Sequence, residues 1–104
     1  MKQEIDLIIN TLSEKKAEDI VLVDLEPGKH PIADNIMILS AMNPIHLKSL
    51  VESITRLYKD KKHSDLKELN FIGVSGKPES LWVILDFDDL IIHIFEKETR
   101  EVYQ

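Results

Sequence analysis

The chain has 104 residues, 43% of them hydrophobic, and a formal net charge of -6 from 19 acidic and 13 basic side chains. That length suits one domain with one core, and the absence of cysteine excludes disulfide stapling and thiolate chemistry. The acidic balance argues against a nucleic-acid binder, because that affinity comes largely from neutralising phosphates with Lys and Arg. Little direct nucleic-acid binding is therefore expected. No run approaches the roughly 18 apolar residues of a membrane span, and the opening Met1-Lys2-Gln3-Glu4 has no signal-peptide character. The expectation is a cytoplasmic protein that does not engage membranes.

Ile5, Ile8, Ile9 and Leu12 recur at helical spacing and predict an amphipathic helix over 2–16. Residues 19–25 are too short and too β-branched for a helix and read as a strand. Glu26-Pro27-Gly28-Lys29-His30-Pro31 is turn chemistry, and 35–40 is a second strand. Asn43-Pro44 predicts a helix start, with Asn as cap and Pro in the first turn. Leu47, Leu50, Val51, Ile54, Leu57 and Tyr58 then form one apolar face. Lys59, Lys61, Lys62 and His63, interrupted by Asp60 and followed by Asp65, read as a solvated helix end where cations suit the macrodipole. A third strand is predicted over 69–75, a loop over 76–79, two strands over 81–87 and 90–95, and a closing helix over 97–103. The pattern is α/β, with about five strands and flanking helices.

The last two strands carry the most information. Asp88-Asp89 between them suggests a two-residue hairpin turn. Phe87 then opposes Leu90, Asp86 opposes Ile91, Ile84 opposes His93 and Trp82 opposes Phe95, and opposed residues share a face. One face carries Val83, Leu85, Phe87, Leu90, Ile92 and Ile94, all apolar, and is the natural seat for the helices. The other carries Trp82, Ile84, Asp86, Ile91, His93 and Phe95. That mixed face is either a partly covered second side, with His93 satisfied by Asp86, or a docking surface built on aromatic anchors. A register slip of one residue would exchange the two sets.

Catalytic chemistry finds little support. Asp86, Asp88 and Asp89 could hold Mg²⁺ for nucleotidyl transfer, but the upstream Ser75-Gly76-Lys77-Pro78-Glu79-Ser80 lacks the Gly-Ser order and the helix that would hold phosphates. Turn-forming aspartates are the simpler account. Gly73-Val74-Ser75-Gly76-Lys77-Pro78 echoes a phosphate loop without its spacer, and Pro stands where Ser or Thr would bind Mg²⁺. His30, His46, His63 and His93 are scattered, with no partner at metal-ligand spacing. The serines lack a nucleophile elbow. No catalytic residue, metal or cofactor is expected.

The run Trp82-Val83-Ile84-Leu85-Asp86-Phe87-Asp88-Asp89-Leu90-Ile91-Ile92-His93-Ile94-Phe95, followed by Glu98, Arg100 and Tyr103, resembles the ribosomal silencing factor (Iojap-like) family. That family reads approximately W-V-x-L-D-Y-G-D-V-V-V-H-V-F and then E-x-R-x-x-Y. Lys15 to Leu25 resembles its first strand, and Ala33-Asp34-Asn35-Ile36-Met37-Ile38-Leu39 its A-D-Y-F-V-I strand. The ordered set covers almost all of residues 1–104, as a single domain of this type.

The resemblance implies a mixed β-sheet with flanking helices, nucleotidyltransferase-like without the catalytic residues. It also implies binding to the large ribosomal subunit through its fourteenth protein, a basic one, which blocks joining of the small subunit and represses translation when nutrients are scarce. Such members are often homodimers in isolation. Carried over by position, the binding surface includes Trp82, Asp86 and His93, with Arg100 and Tyr103 at its border or supporting it. The mixed hairpin face adds Ile84 and Phe95. A Mg²⁺-dependent nucleotidyltransferase using Asp86, Asp88 and Asp89, or a dimeric protein-binding adaptor, are the alternatives. Three departures stand out. Asp88 replaces a turn glycine, and Ser40-Ala41-Met42-Asn43-Pro44 replaces a Gly-Ser-rich turn. The family pattern also continues past Gln104 through a Leu-Glu and a Trp, and absence of that segment is expected to expose apolar surface or alter dimerisation.

Overall fold

The computed structural model describes residues 2–25, 33–60, 66 and 69–103. The turn expected at 26–31 and most of the basic cluster after Asp60 lie outside the described residues. The elements are α1 (Lys2–Glu14), β1 (Glu18–Asp24), β2 (Asn35–Ala41), α2 (Pro44–Lys59), β3 (Gly73–Ser75), β4 (Trp82–Asp86), β5 (Leu90–Glu96) and α3 (Lys97–Tyr103). The sheet runs in the order β1-β2-β5-β4-β3. Among the described residues only the β2–β5 pair is parallel, so the sheet is mixed as expected.

Hydrophobic periodicity explains which face the helices take. Ile5, Ile8 and Leu12 of α1 and Leu47, Leu50, Ile54 and Leu57 of α2 are buried against one side of the sheet. That side supplies Met37, Leu39 and Ala41 from β2, Val83 and Leu85 from β4, Leu90, Ile92 and Ile94 from β5, and Phe87 from the hairpin. Each such side chain taken fully out of water contributes about 1.5–3 kcal/mol before chain entropy is set against it.

The α2 start follows the sequence closely. Asn43 is in extended conformation, and its side-chain oxygen accepts the His46 N–H at 2.8 Å. The His46 ring accepts the Met42 N–H on Nδ1 at 2.9 Å and reaches the Lys15 carbonyl with Nε2 at 2.7 Å. Its proton therefore sits on Nε2, and the ring ties the end of α1 to the start of α2.

The third strand is shorter than expected, covering 73–75 and not 69–75. Leu69 and Phe71 turn inward onto the core, and the Tyr58 hydroxyl satisfies the backbone there. It donates to the Leu69 carbonyl at 3.1 Å and accepts the Phe71 N–H at 3.3 Å. A side chain thus does what a neighbouring strand would have done. The 76–79 loop tightens into a 3-10 turn at Pro78–Ser80, and Leu81, with φ 66°, lies outside β4.

Gly76 has φ +85°, and a Cβ there would press into the Trp82 carbonyl oxygen. Gly76→Ala is expected to lower stability by about 1–3 kcal/mol, read as a shifted urea midpoint at unchanged slope.

Candidate docking face

The β4–β5 hairpin closes as its sequence predicts. Phe87 N–H donates to the Leu90 carbonyl at 2.8 Å, leaving Asp88 and Asp89 as the two turn residues. Asp88 takes φ 67° in the left-handed region, where the resembled family has glycine. Asp is among the few side chains that tolerate this. Its N–H donates to Asp86 Oδ1 at 2.9 Å, an Asx-type bond that fixes the turn. The pairs Trp82–Phe95, Ile84–His93 and Asp86–Ile91 form as expected, so the mixed face is real.

Strand pairing extends that face into three rows. Ser40, Phe95 and Trp82 lie abreast; Val21, Ile38, His93 and Ile84 form the next row; Val23, Ile36, Ile91 and Asp86 form the third. Both long helices pack on the other side. Among the described elements α3 alone folds over one end, against β5 and β2. Val21 and Val23 are exposed, and Ile36, Ile38, Ile84, Trp82 and His93 are half-buried. The β1 and β2 members were not anticipated. Their alternation is visible in the sequence, but joining them to the hairpin needs the parallel β2–β5 pairing.

Aromatic rings concentrate in the first two rows. Trp82 stacks on Phe95 with centroids 4.7 Å apart at 23°, and Tyr103 of α3 closes on Trp82 at 5.2 Å and on Phe95 at 6.3 Å. Phe95 is nearly covered, whereas Tyr103 is 64% exposed. The Trp82 indole N–H donates to His93 Nδ1 at 3.1 Å. His93 is thereby satisfied by Trp82 and not, as one reading had it, by Asp86. Burial pushes the His93 imidazole below its ordinary value of 6.5, favouring the neutral ring that this bond requires.

Arg100 stands apart from the other proposed residues. It is 8% exposed, and its Nη1 donates to the Asp19 carbonyl at 2.7 Å and to Ser40 Oγ at 2.8 Å. Asp19, with φ 49°, sits in the irregular stretch of β1 between Glu18 and Val21. One guanidinium therefore joins α3, β2 and the edge strand from beneath. Glu96 starts α3 by accepting the Glu98 N–H at 2.8 Å and the Thr99 N–H at 3.3 Å. Neither Glu96 nor the partner Ser40 carried a recognisable signal in sequence.

The far end of the face is acidic. Asp86, Asp88 and Asp89 of the hairpin lie near Asp34 there, because Asn35 N–H bonds the Asp89 carbonyl at 3.0 Å, whereas Asp24 falls on the helix side beside Lys2 and Asp6 of α1. These carboxylates do not converge on a cation position. Among the described residues, no group of three or more His, Asp or Glu is placed to hold a metal ion.

Residues 1–104 match the model of a protein family described as "Ribosomal silencing factor during starvation". The chain is similar to a Mus musculus protein named "Mitochondrial assembly of ribosomal large subunit protein 1", at 28% identity over 99% of this chain and 43% of the mouse protein. It is 26% identical to Ribosomal silencing factor RsfS of Haemophilus influenzae, over 96% of this chain and 91% of the relative. The Bacillus subtilis protein of the same name is 31% identical, over 86% and 70% respectively. The fold is shared with solved structures from Chromobacterium violaceum and Bacillus halodurans. Both give a TM-score of 0.77 at 19% identity, covering 98% and 99% of this chain and 79% and 90% of theirs.

Removing the Arg100 guanidinium strands the Ser40 hydroxyl and unties α3. Arg100→Ala is expected to destabilise the chain by about 2–4 kcal/mol. It should also red-shift the emission of the single tryptophan as Tyr103 lifts away, measured by denaturation and fluorescence.

Proposed function

The chain belongs to the ribosomal silencing factor family, and from that premise we propose that it binds the large ribosomal subunit and keeps the small subunit from joining. The action is steric exclusion in the cytoplasm, which needs a surface and no catalysis. The surface is the open sheet face, with Trp82 and Tyr103 as anchors, Phe95 packed beneath them, His93, Ile84 and Asp86 beside them, and Arg100 supporting α3. One observation carries this reading: a stacked aromatic cluster stands on a sheet face that neither long helix covers. Aromatic anchors in a partly desolvated setting are what binding hot spots use.

Charge supports the partner's chemistry. A chain of net charge -6, with Asp86, Asp88, Asp89 and Asp34 at the hairpin end of the face, is complementary to a basic ribosomal protein, and the fourteenth protein of the large subunit is the one proposed. The mouse relative is named for assembly of the ribosomal large subunit, which points to the same particle. In isolation the same face is free to pair two copies of the chain, so a homodimer that dissociates on binding belongs to this reading.

The test mixes purified protein with separated subunits at low Mg²⁺, raises Mg²⁺, and follows association on a sucrose gradient. Wild-type protein is expected to travel with the large subunit and hold the two subunits apart. Trp82→Ala is expected to bind about thirtyfold more weakly, the equivalent of ~2 kcal/mol. Wild-type affinity in that variant would sink the assignment of the face.

A further inference from the structure

We infer that His93 is a positioning residue for the docking face, its unprotonated Nδ1 holding the Trp82 indole, so that taking up a proton releases the anchor and weakens binding. The inference rests on the reading of this face as the ribosome-binding surface, but its structural half can be tested without a ribosome.

The geometry allows one proton arrangement. Trp82 Nε1 has only a hydrogen to offer, so the 3.1 Å bond needs a lone pair on His93 Nδ1 and places the ring proton on Nε2. A second proton has to go onto Nδ1, where it would face the indole N–H with two donors and no acceptor. The bond is then lost and the indole is held by ring contacts alone. These are Phe95 at 4.7 Å and Tyr103 at 5.2 Å, and Tyr103 is itself exposed on the last turn of α3.

The surroundings decide how readily the proton arrives. Directly beside His93 stand Ile84 on β4 and Ile38 on β2, both apolar, with Val21 of β1 beyond Ile38 and Phe95 along its own strand. The ionisable groups lie further off. Asp86 is diagonal on β4, with Oδ1 committed to the Asp88 N–H. Tyr103 is a neutral phenol, and the Arg100 guanidinium is committed to Asp19 and Ser40. Apolar neighbours leave desolvation as the main influence, and it disfavours the charged ring. The folded chain thus holds fewer protons at His93 than the unfolded chain. Its contribution to stability is present above 6.5 and is lost as pH falls through the lowered folded value. A cation formed in this row would also oppose a basic partner.

The chain has one tryptophan, so its fluorescence reports on this pair directly. Emission would be followed in the free wild-type chain from about pH 7.5 to about pH 5, with large-subunit co-sedimentation across the same range. His93→Asn keeps an acceptor oxygen near the Nδ1 position and does not titrate. His93→Phe removes the acceptor and keeps the bulk. Wild type is expected to show an emission transition below pH 6.5 and roughly tenfold weaker binding on its acid side. His93→Asn should bind more tightly than His93→Phe, and neither variant should change its binding or its emission across this pH range. A flat wild-type emission profile, or a His93→Asn protein that keeps the wild-type pH dependence or is as weak as His93→Phe, overturns the inference. Failure of wild type to co-sediment at neutral pH overturns the ribosomal reading instead, so the two failures are distinguishable.

Discussion

The register of the β4–β5 hairpin is the constraint on which the rest depends. Side chains alternate along a strand with period two, so a slip of one residue would send Val83, Leu85, Ile92 and Ile94 to solvent and drive Asp86 and His93 under the helices. Burying an unpaired carboxylate and an imidazole while exposing four aliphatic chains is unfavourable on both counts. The turn holds the same register locally, through Phe87 bonded to Leu90 and Asp88 bonded to its neighbour's carboxylate. Local and global preferences agree, which is the condition for a single native state.

From that register the two faces acquire different work. The helix side is filled by Met, Leu, Ile, Val and Phe in contact and completes the core. On the other side Val21, Val23, Ile36, Ile38, Ile84 and Trp82 are only partly covered, while Ile91 and Phe95 are buried and α3 shelters one end. Arg100 makes that arrangement stable, since α3 has 7 residues and is too short to persist by helix propensity. Its guanidinium and the Glu96 cap hold the helix where Tyr103 can reach Trp82. On the proposed reading of this face, an anchor ordered before binding loses less freedom on docking, so the shelter would raise affinity without adding a contact to the partner.

How far the sequence could be read follows from where its information was local. Strong helical periodicity in α1 and α2, the Asn43-Pro44 cap and the hairpin alternation each declare themselves within a dozen residues, and each formed within a residue or two of expectation. The 69–75 segment misled because Leu69 and Phe71 alternate like a strand while a tyrosine 11 residues upstream, Tyr58, takes their backbone bonds. The Trp82–His93 bond was equally out of reach. The pattern placed both residues on one face, yet it offered Asp86 as the imidazole's partner, and only ring orientation distinguishes the two. Arg100 spans 81 residues to reach Asp19, and no local pattern announces such a bond.

The distribution of charge and aromatic surface suggests how one face could serve both encounter and retention. With the basic partner proposed, long-range attraction from the acidic end would act before contact, be screened over about 8 Å at physiological salt, and mainly raise the rate of association. On the proposed reading, short-range packing around Trp82, Phe95 and Tyr103 would act after contact and govern dissociation. The acids lie at the hairpin end of the sheet and the rings at the α3 end, so the two contributions occupy different patches of one surface. Rising salt would then slow binding more than it hastens release. Such a division suits a factor that must find its particle quickly and then occupy the site long enough to exclude a competitor.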